Sequence, residues 1–197
     1  KGRKYRKRGL QNNSRRLIPN AVDISERPDI VDTRTRFGDF EVDTIVGSSH
    51  SQHILTITER CTGLLIMRKL DRPTAAETEK KMIEALSALA KKGQVKTITS
   101  DNGIQFANHQ AISLALGADF YFAKPYHSWE RGTNENTNGL IRQYIPKSSD
   151  FNLLSEDDIR QIEDKLNKRP RKRLNFVSPY EAVKTKTKID LKVAFRA

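Results

Sequence analysis

Residues 38–70 have the sequence GDFEVDTIVGSSHSQHILTITERCTGLLIMRKL, in which three runs rich in β-branched and aromatic residues follow one another. The runs span residues 40–46, 54–58 and 64–70, and a turn at residues 61–63 joins the last two. Runs of this kind, separated by turn residues, are typical of β-strands that pair with their neighbours along the chain. The segment therefore predicts a three-stranded antiparallel meander.

Helices and two short strands alternate after the meander. Thr74, with Glu77 three residues later, predicts a helix start, and Gly93 ends that helix at about residue 92. The periodicity predicts strands at 95–99 and 120–122, and helices at 106–116, 133–144, from 155 to just before 170, and after 178. The order βββαβαβα is that of the RNase H-like fold. This is an α/β fold with a five-stranded mixed sheet, in which the fourth strand lies parallel to the first.

The chain divides into three predicted segments. Residues 1–37 form a basic arm and linker with little apolar periodicity, 38–150 the RNase H-like core, and 151–197 a helical and basic C-terminal extension. The sequence begins at Lys1 rather than at Met, so we expect a further segment upstream.

Positive charge is concentrated in two places. Residues 1–16 carry eight Lys or Arg, residues 165–173 carry six, and neither segment contains an acid. These cations exceed the net charge of +12, so the rest of the chain is close to neutral. Clustered cations favour a polyanionic partner, because each neutralised phosphate releases counterions. The charge alone does not distinguish DNA from RNA, an anionic membrane or a solvated tail.

Several classes of protein are excluded or disfavoured. No apolar run approaches the length of a membrane span, and the basic N-terminus lacks the apolar stretch of a signal peptide. The single cysteine, Cys61, excludes an internal disulfide and a cysteine-built zinc site. We therefore expect a cytoplasmic protein.

Three acids stand where the predicted fold would bring them together. Asp43 lies within the apolar first strand, Asp101 ends the fourth strand, and Glu135 lies on the helix after the fifth. Neighbouring carboxylates repel each other unless a cation bridges them. Carboxylate oxygens suit Mg²⁺ or Mn²⁺, and two such ions can activate the attacking oxygen and stabilise the leaving oxygen at phosphorus.

Each acid also has an ordinary explanation when it is taken singly. The sequence Asp-Asn-Gly at 101–103 is typical of a turn, and Glu135 is an unremarkable helix acid. Strand alternation places Asp39 and Glu41 on the same face as Asp43, so either could be mistaken for the metal ligand. The hypothesis rests on the set of three and on the strand order.

Three segments resemble the catalytic motifs of one protein family. Residues 38–47 (GDFEVDTIVG), 97–103 (TITSDNG) and 125–144 (PYHSWERGTNENTNGLIRQY) resemble, in order, the motifs of insertion-sequence transposases of the IS-thirty family. The 33 residues between Asp101 and Glu135 match its characteristic interval. Residues 167–172 (NKRPRK) and 178–182 (SPYEA) resemble its C-terminal motifs.

The resemblance implies a catalytic function and a set of partners. Asp43, Asp101 and Glu135 would be the DDE triad and the ligands of Mg²⁺ or Mn²⁺, with two ions. The reaction would be hydrolysis at the ends of a mobile element, followed by transfer of a 3′-hydroxyl into target DNA. The partners would be element-end and target DNA and further copies of the chain, with no small-molecule substrate and no membrane. A helix-turn-helix region is expected upstream.

Basic residues near the motifs and in the two basic segments are the candidates for DNA contacts: Arg3, Lys4, Arg6, Lys7, Arg8, Lys124, Arg131, Arg142, Lys168, Arg169, Arg171, Lys172 and Arg173. Three alternative functions stay open. One is a retroviral-type integrase or another RNase H-like nuclease. The second is a transposase-derived DNA-binding module without catalytic activity, and the third is a basic scaffold protein with no site.

Overall fold

The computed structural model describes residues 18–48, 52–125, 127 and 132–189, and within them five strands form one sheet. The strands are β1 (Asp39–Val46), β2 (His53–Glu59), β3 (Leu65–Leu70), β4 (Thr97–Ser100) and β5 (Asp119–Phe122). Their order across the sheet is β3-β2-β1-β4-β5. β1 pairs antiparallel with β2, β2 antiparallel with β3, and β4 lies parallel to both β1 and β5. The predicted meander and the parallel placement of β4 beside β1 are confirmed.

Six helices complete the described part of the chain: α1 (Ile30–Thr33), α2 (Ala75–Ala90), α3 (His109–Leu116), α4 (Gly132–Ile141), α5 (Glu156–Lys168) and α6 (Pro179–Thr187). Short 3-10 turns lie at Ile24–Glu26, Ile104–Phe106, Phe151–Leu153 and Lys172–Leu174. None of the helices in these ranges is long and apolar enough to cross a membrane.

Helix α2 begins at the predicted cap. The Thr74 hydroxyl accepts a hydrogen bond from the Glu77 backbone N–H at 3.2 Å, which satisfies one of the free donors of the first turn. The Glu77 carboxylate does not return this bond. It accepts instead from the backbone N–H groups of Asp71 and Arg72, at 3.0 and 2.8 Å. The cap therefore also fixes the connection from β3.

Two apolar layers cover the two faces of the sheet. Phe40, Val42 and Ile98 are buried in a layer that includes residues of α2 and α3. Ile45 and Met67 are buried on the other face, in a layer that includes residues of α4 and α5. Side chains alternate between the faces of a strand, so Asp39, Glu41 and Asp43 point away from the first layer. The polar row of β1 thus lies on the face covered by α4.

The flanks of the sequence pack against this sheet. Ile18 and Phe37 are buried in the first apolar layer, and the Phe122 N–H donates to the Val22 carbonyl at 2.8 Å. His109 is also buried: its Nε2 lies 2.9 Å from the Pro19 carbonyl oxygen. From 151 onward, α5 and α6 contribute buried residues to the two layers. The three-segment division of the chain stays a prediction, and residues 1–17 lie outside the described residues.

A buried amide closes part of the outer edge of the sheet. β3 is an edge strand, and edge strands present N–H and C=O groups that need partners. Asn167 of α5 accepts from the Leu65 N–H at 2.9 Å and donates to the Leu65 carbonyl at 2.7 Å. The Asn167 side chain therefore takes the place of a neighbouring strand at this position.

Replacing this amide tests its role. In Asn167→Leu the backbone N–H and C=O of Leu65 lose their partners while remaining buried. Because each such group costs roughly 1–3 kcal/mol, we expect a loss of about 2–5 kcal/mol in the free energy of unfolding. Urea unfolding gives this value, and Lys168→Ala, at an exposed position next to it, is the matched control. A change in Asn167→Leu no larger than in the control would contradict the assignment.

Candidate active site

The register of β1 and β4 sets the position of two of the predicted acids. Asp39 pairs with Thr97, and Glu41 pairs with Thr99. Continued by two residues, this register places Asp43, in the middle of β1, level with Asp101, which follows the carboxyl end of β4. Both aspartates are half-buried.

The Asp43 carboxylate connects β1 to α4. Its Oδ2 accepts a hydrogen bond from Asn138 Nδ2 at 2.9 Å, and its Oδ1 accepts from the Thr44 N–H at 2.8 Å. Asn138 lies three residues after Glu135, so the two side chains lie close to one face of α4. Glu135 itself is exposed in the first turn of that helix.

The turn after β4 is held on both sides. Asp101 Oδ1 accepts from the Gly103 N–H at 3.0 Å, which is the turn geometry expected of an Asp-Asn-Gly sequence. Asn102 Nδ2 donates to the Ala123 carbonyl after β5 at 2.6 Å, and Gln105 Nε2 donates to Thr44 Oγ1 on β1 at 3.3 Å. The turn therefore fixes the Asp101 backbone relative to both neighbouring strands.

The structure does not gather all three predicted carboxylates into one metal site. Among the described residues, no group of three or more Asp, Glu, His or Cys side chains is placed to hold an ion. Asp43 and Asp101 share a level of the sheet, whereas Glu135 is exposed on the helix. The assignment of the triad stays a prediction.

Asp39 is engaged elsewhere. Its carboxylate is buried and accepts two hydrogen bonds from the Arg36 guanidinium, both at 2.9 Å. The Thr97 hydroxyl donates to the same carboxylate at 2.8 Å. This bidentate pair fully occupies Asp39 at the start of β1.

Glu41 has a similar structural role. It is fully buried, and its Oε1 accepts from Arg60 Nη1 while its Oε2 accepts from the Asn134 N–H at 2.9 Å. Arg60 also donates to Asp32 Oδ1 at 2.9 Å. Glu41 and Asp39 are thus both paired with arginines, and the choice of Asp43 as the metal ligand of β1 stays a prediction. Sequence reasoning missed Arg60, although a buried acid in a strand calls for a buried cation.

Several basic residues proposed for DNA contacts are engaged with carbonyl oxygens. Arg142 donates to the carbonyls of Val46, Ile145 and Pro146 at 3.0–3.5 Å, and burial lowers the pKa of its guanidinium. Arg171 donates to the Leu166 carbonyl at 2.9 Å, and burial lowers its pKa as well. These two side chains hold loops in place, and their role as DNA contacts stays a prediction.

The remaining candidates are more accessible. Lys124, Lys168, Arg169, Lys172 and Arg173 are exposed. Arg169 donates to Gln143 Oε1 at 2.9 Å, Arg173 donates to the Cys61 carbonyl at 2.8 Å, and Lys168 pairs with Asp164. Arg3, Lys4, Arg6, Lys7, Arg8 and Arg131 lie outside the described residues.

The chain is similar to several transposases. It is 52% identical over 183 residues to the transposase of insertion sequence element IS4351 from Bacteroides fragilis, an alignment that covers 93% of this chain and 56% of that protein. It is 37% identical to the transposase of IS1086 from Cupriavidus metallidurans, over 84% of this chain and 49% of the relative. It is 32% identical to the transposase InsI of IS30C from Escherichia coli K12, over 92% and 46%. The chain thus spans about half the length of these relatives, and no family model matches it.

A solved structure supports the fold. A chain of the simian T-cell lymphotropic virus intasome, determined by cryo-electron microscopy in complex with PP2A regulatory subunit B56 gamma, superposes with a TM-score of 0.53 at 20% identity. The superposition covers 67% of this chain and 49% of the viral one. Together with the strand order, this likeness identifies the fold as RNase H-like.

The contrast between Glu41 and Asp43 is testable through stability. Glu41→Gln removes the charge that balances a buried guanidinium, and breaking such a pair costs about 3–5 kcal/mol. Asp43→Asn keeps one oxygen that can accept from Asn138 but loses the acceptor of the Thr44 N–H, so we expect a smaller loss of about 1 kcal/mol. Urea unfolding of the two variants measures the difference. Equal losses would mean that Asp43 is as much a structural acid as Glu41.

Proposed function

This chain is homologous to insertion-sequence transposases, those of IS30 among them, and from this premise we propose that it is the catalytic core of a DNA transposase. It would cut DNA at the ends of a mobile element and transfer the resulting 3′-hydroxyl into target DNA. The observation that carries the proposal is the register of β1 and β4, which, continued by two residues, puts Asp43 inside β1 level with Asp101 just after β4. Two carboxylates at one level of neighbouring strands would repel each other, and a bridging cation would compensate that repulsion.

The donor set fits divalent metal ions. Asp43, Asp101 and Glu135 offer only carboxylate oxygens, which suit Mg²⁺ or Mn²⁺ and suit zinc poorly. We propose that Asp43 and Asp101 hold the metal from the sheet and that Glu135 completes the set from the exposed face of α4. Two bound ions would supply an activated attacking oxygen and stabilisation of the leaving oxygen at phosphorus.

The surrounding polar residues would position these ligands. Asn138 donates to one oxygen of Asp43 at 2.9 Å and so fixes the orientation of that carboxylate. The bonds made by Asn102 and Gln105 fix the turn that carries Asp101. Groups that orient metal ligands are worth roughly 10- to 100-fold in affinity or activity. The same Asn138 contact ties α4, and hence Glu135, to the sheet.

The partners we propose are element-end and target DNA and further copies of this chain. The two basic segments, residues 1–16 and 165–173, would contact phosphates, and such contacts carry no direct sequence information. Lys124, Arg169 and Lys172 are exposed candidates for such contacts. The bacterial nucleoid is the proposed location.

A second function has one observation in its favour. Among the described residues, the three acids do not form a metal site. The absence of such a site is what we would expect of a transposase-derived DNA-binding module without catalytic activity. The two proposals differ in strand cleavage, because only the catalytic one requires all three carboxylates.

Neutralising each acid in turn distinguishes the two functions. We expect Asp43→Asn, Asp101→Asn and Glu135→Gln each to lower the rate of strand cleavage by roughly 10²-fold or more, the scale for losing one group that stabilises transition-state charge. Cleavage of a labelled element-end duplex gives the rate, and filter binding checks that DNA affinity is kept. Asp119→Asn is the control, because Asp119 is exposed at the opposite end of parallel strand β5. Undiminished cleavage by any one triad variant would remove that residue from the site.

Metal dependence is a separate test. Cleavage should require Mg²⁺ or Mn²⁺, cease in EDTA, and be poorly supported by Ca²⁺, whose larger and looser ligand shell does not hold the reacting oxygens in line. Binding of Mg²⁺ or Mn²⁺ should also raise the melting temperature of the wild-type chain, because an ion that binds only the folded state stabilises that state. The Asp43→Asn/Asp101→Asn double variant should lose this rise. Cleavage that persists in EDTA would exclude the mechanism.

A further inference from the structure

A positively charged pocket of about 330 Å³ lies where Arg60 contacts Glu41 of β1 and Arg27 contacts Thr99 of β4. It is lined by the side chains Arg27, Arg34, Arg60 and Lys124, together with Asp32 and Ser25. Four cations thus share a small volume with one acid on the wall. Such a concentration of positive charge is costly unless an anion balances it.

Of the two inner arginines, Arg27 has a buried donor without an acceptor, whereas each nitrogen of Arg60 donates to Val31, Glu41 or Asp32. Arg27 is buried, and it donates to Thr99 Oγ1 at 3.0 Å and to Asp32 Oδ1 at 2.6 Å. Its Nε is buried without any hydrogen-bond partner. Arg60 donates to the same oxygen of Asp32, so two guanidinium groups share one carboxylate oxygen. Burial, and secondly the charge of Arg60, lower the pKa of Arg27.

The contacts that Arg27 and Arg60 make within the protein do not explain why two further cations lie at the rim of the pocket. Arg60 neutralises Glu41, which explains its burial. Arg34 and Lys124 are exposed, and Arg34 follows α1 in a left-handed conformation with φ of 53°. Asp32 lines the pocket, and the charge of Lys124 contributes to lowering the pKa of Asp23, after the hydrogen bonds from Ser25. Two accessible cations therefore extend the buried pair toward solvent.

The pocket is connected to the candidate active site on two sides. Lys124 follows Ala123, whose carbonyl accepts from Asn102, the residue after Asp101. On the other side, Arg60 contacts Glu41, which accepts from the backbone N–H of Asn134, the residue before Glu135. Both links place the pocket beside the elements that carry Asp101 and Glu135.

We propose that this pocket binds a phosphodiester group of the DNA strand, next to the phosphate that reacts at Asp43 and Asp101. The fork of a guanidinium matches two phosphate oxygens, and Arg34 and Lys124 add charge from the rim. The pocket fixes where the strand lies and makes no contribution to reading its sequence. This inference rests on the proposed function, because it takes DNA as the partner.

Removing the two rim cations tests the pocket without disturbing the buried arginines. We expect Arg34→Ala/Lys124→Ala to flatten the log–log salt dependence of duplex binding by about one, close to 0.9 for one phosphate contact. Lys91→Ala/Lys92→Ala is the matched control, because it removes the same charge at exposed positions just after α2, whose buried residues pack on the opposite face. An unchanged slope in the rim variant, or equal losses in both, would overturn the proposal.

A chemical substitution in the DNA locates the contact. Duplexes in which one phosphate at a time is a neutral methylphosphonate should show at least one position that weakens wild-type binding but no longer weakens binding of the rim variant. The absence of any such position would contradict a phosphodiester contact. If inorganic phosphate raises the melting temperature of the wild-type chain but not of the rim variant, while the two bind DNA with the same salt slope, the site takes a free anion and the DNA assignment fails.

Different experimental results would contradict the pocket proposal and the catalytic proposal. If the rim variant binds DNA like the wild type while Asp101→Asn abolishes cleavage, the pocket assignment is wrong and the transposase proposal stands. If the methylphosphonate pattern is found but Asp101→Asn cleaves normally, the pocket stands and the catalytic proposal is wrong.

Discussion

The buried carboxylate of Glu41 is the contact on which the arrangement of the site depends. Glu41 lies at the centre of the sheet, and its two oxygens bind Arg60 from the turn after β2 and the backbone of Asn134 in α4. An ionised carboxylate in such a place costs several kcal/mol unless a cation and hydrogen bonds compensate it. The same group of atoms therefore fixes the first turn of α4 against β1, and α4 carries Glu135.

The order of the elements could be predicted from the sequence because local signals are strong. Alternating apolar residues fixed the three meander strands, and Ser155 and Ser178 do cap α5 and α6, each in a reciprocal capping box. The boundaries were less accurate where long-range contacts decide them. The predicted helix over 106–116 begins at His109, because the preceding residues form a 3-10 turn that buries Phe106.

The candidate site was predictable only in part. Strand order predicted that Asp43 and Asp101 belong to neighbouring strands, and the β1–β4 register, continued by two residues, places them at one level. The arginine partners of Asp39 and Glu41 could not be predicted from the sequence. Arg60 becomes a neighbour of Glu41 only when the chain folds, and the pairing of Arg36 with Asp39 depends on the folded start of β1. Likewise, the sequence does not show whether the guanidinium of an arginine is already hydrogen-bonded within the folded protein. Arg142 binds three carbonyl oxygens, which no charge pattern would indicate.

The shared carboxylate of Asp32 has an evolutionary consequence. Arg27 and Arg60 both depend on its Oδ1, and Arg60 in turn holds Glu41, so the four residues form one connected network. Substitutions within such a network are not additive, and a change in one member alters the cost of changing the others. Descendants of this sequence should therefore retain or exchange the four residues as a group. Single losses would be tolerated only where a second substitution restores the balance of buried charge.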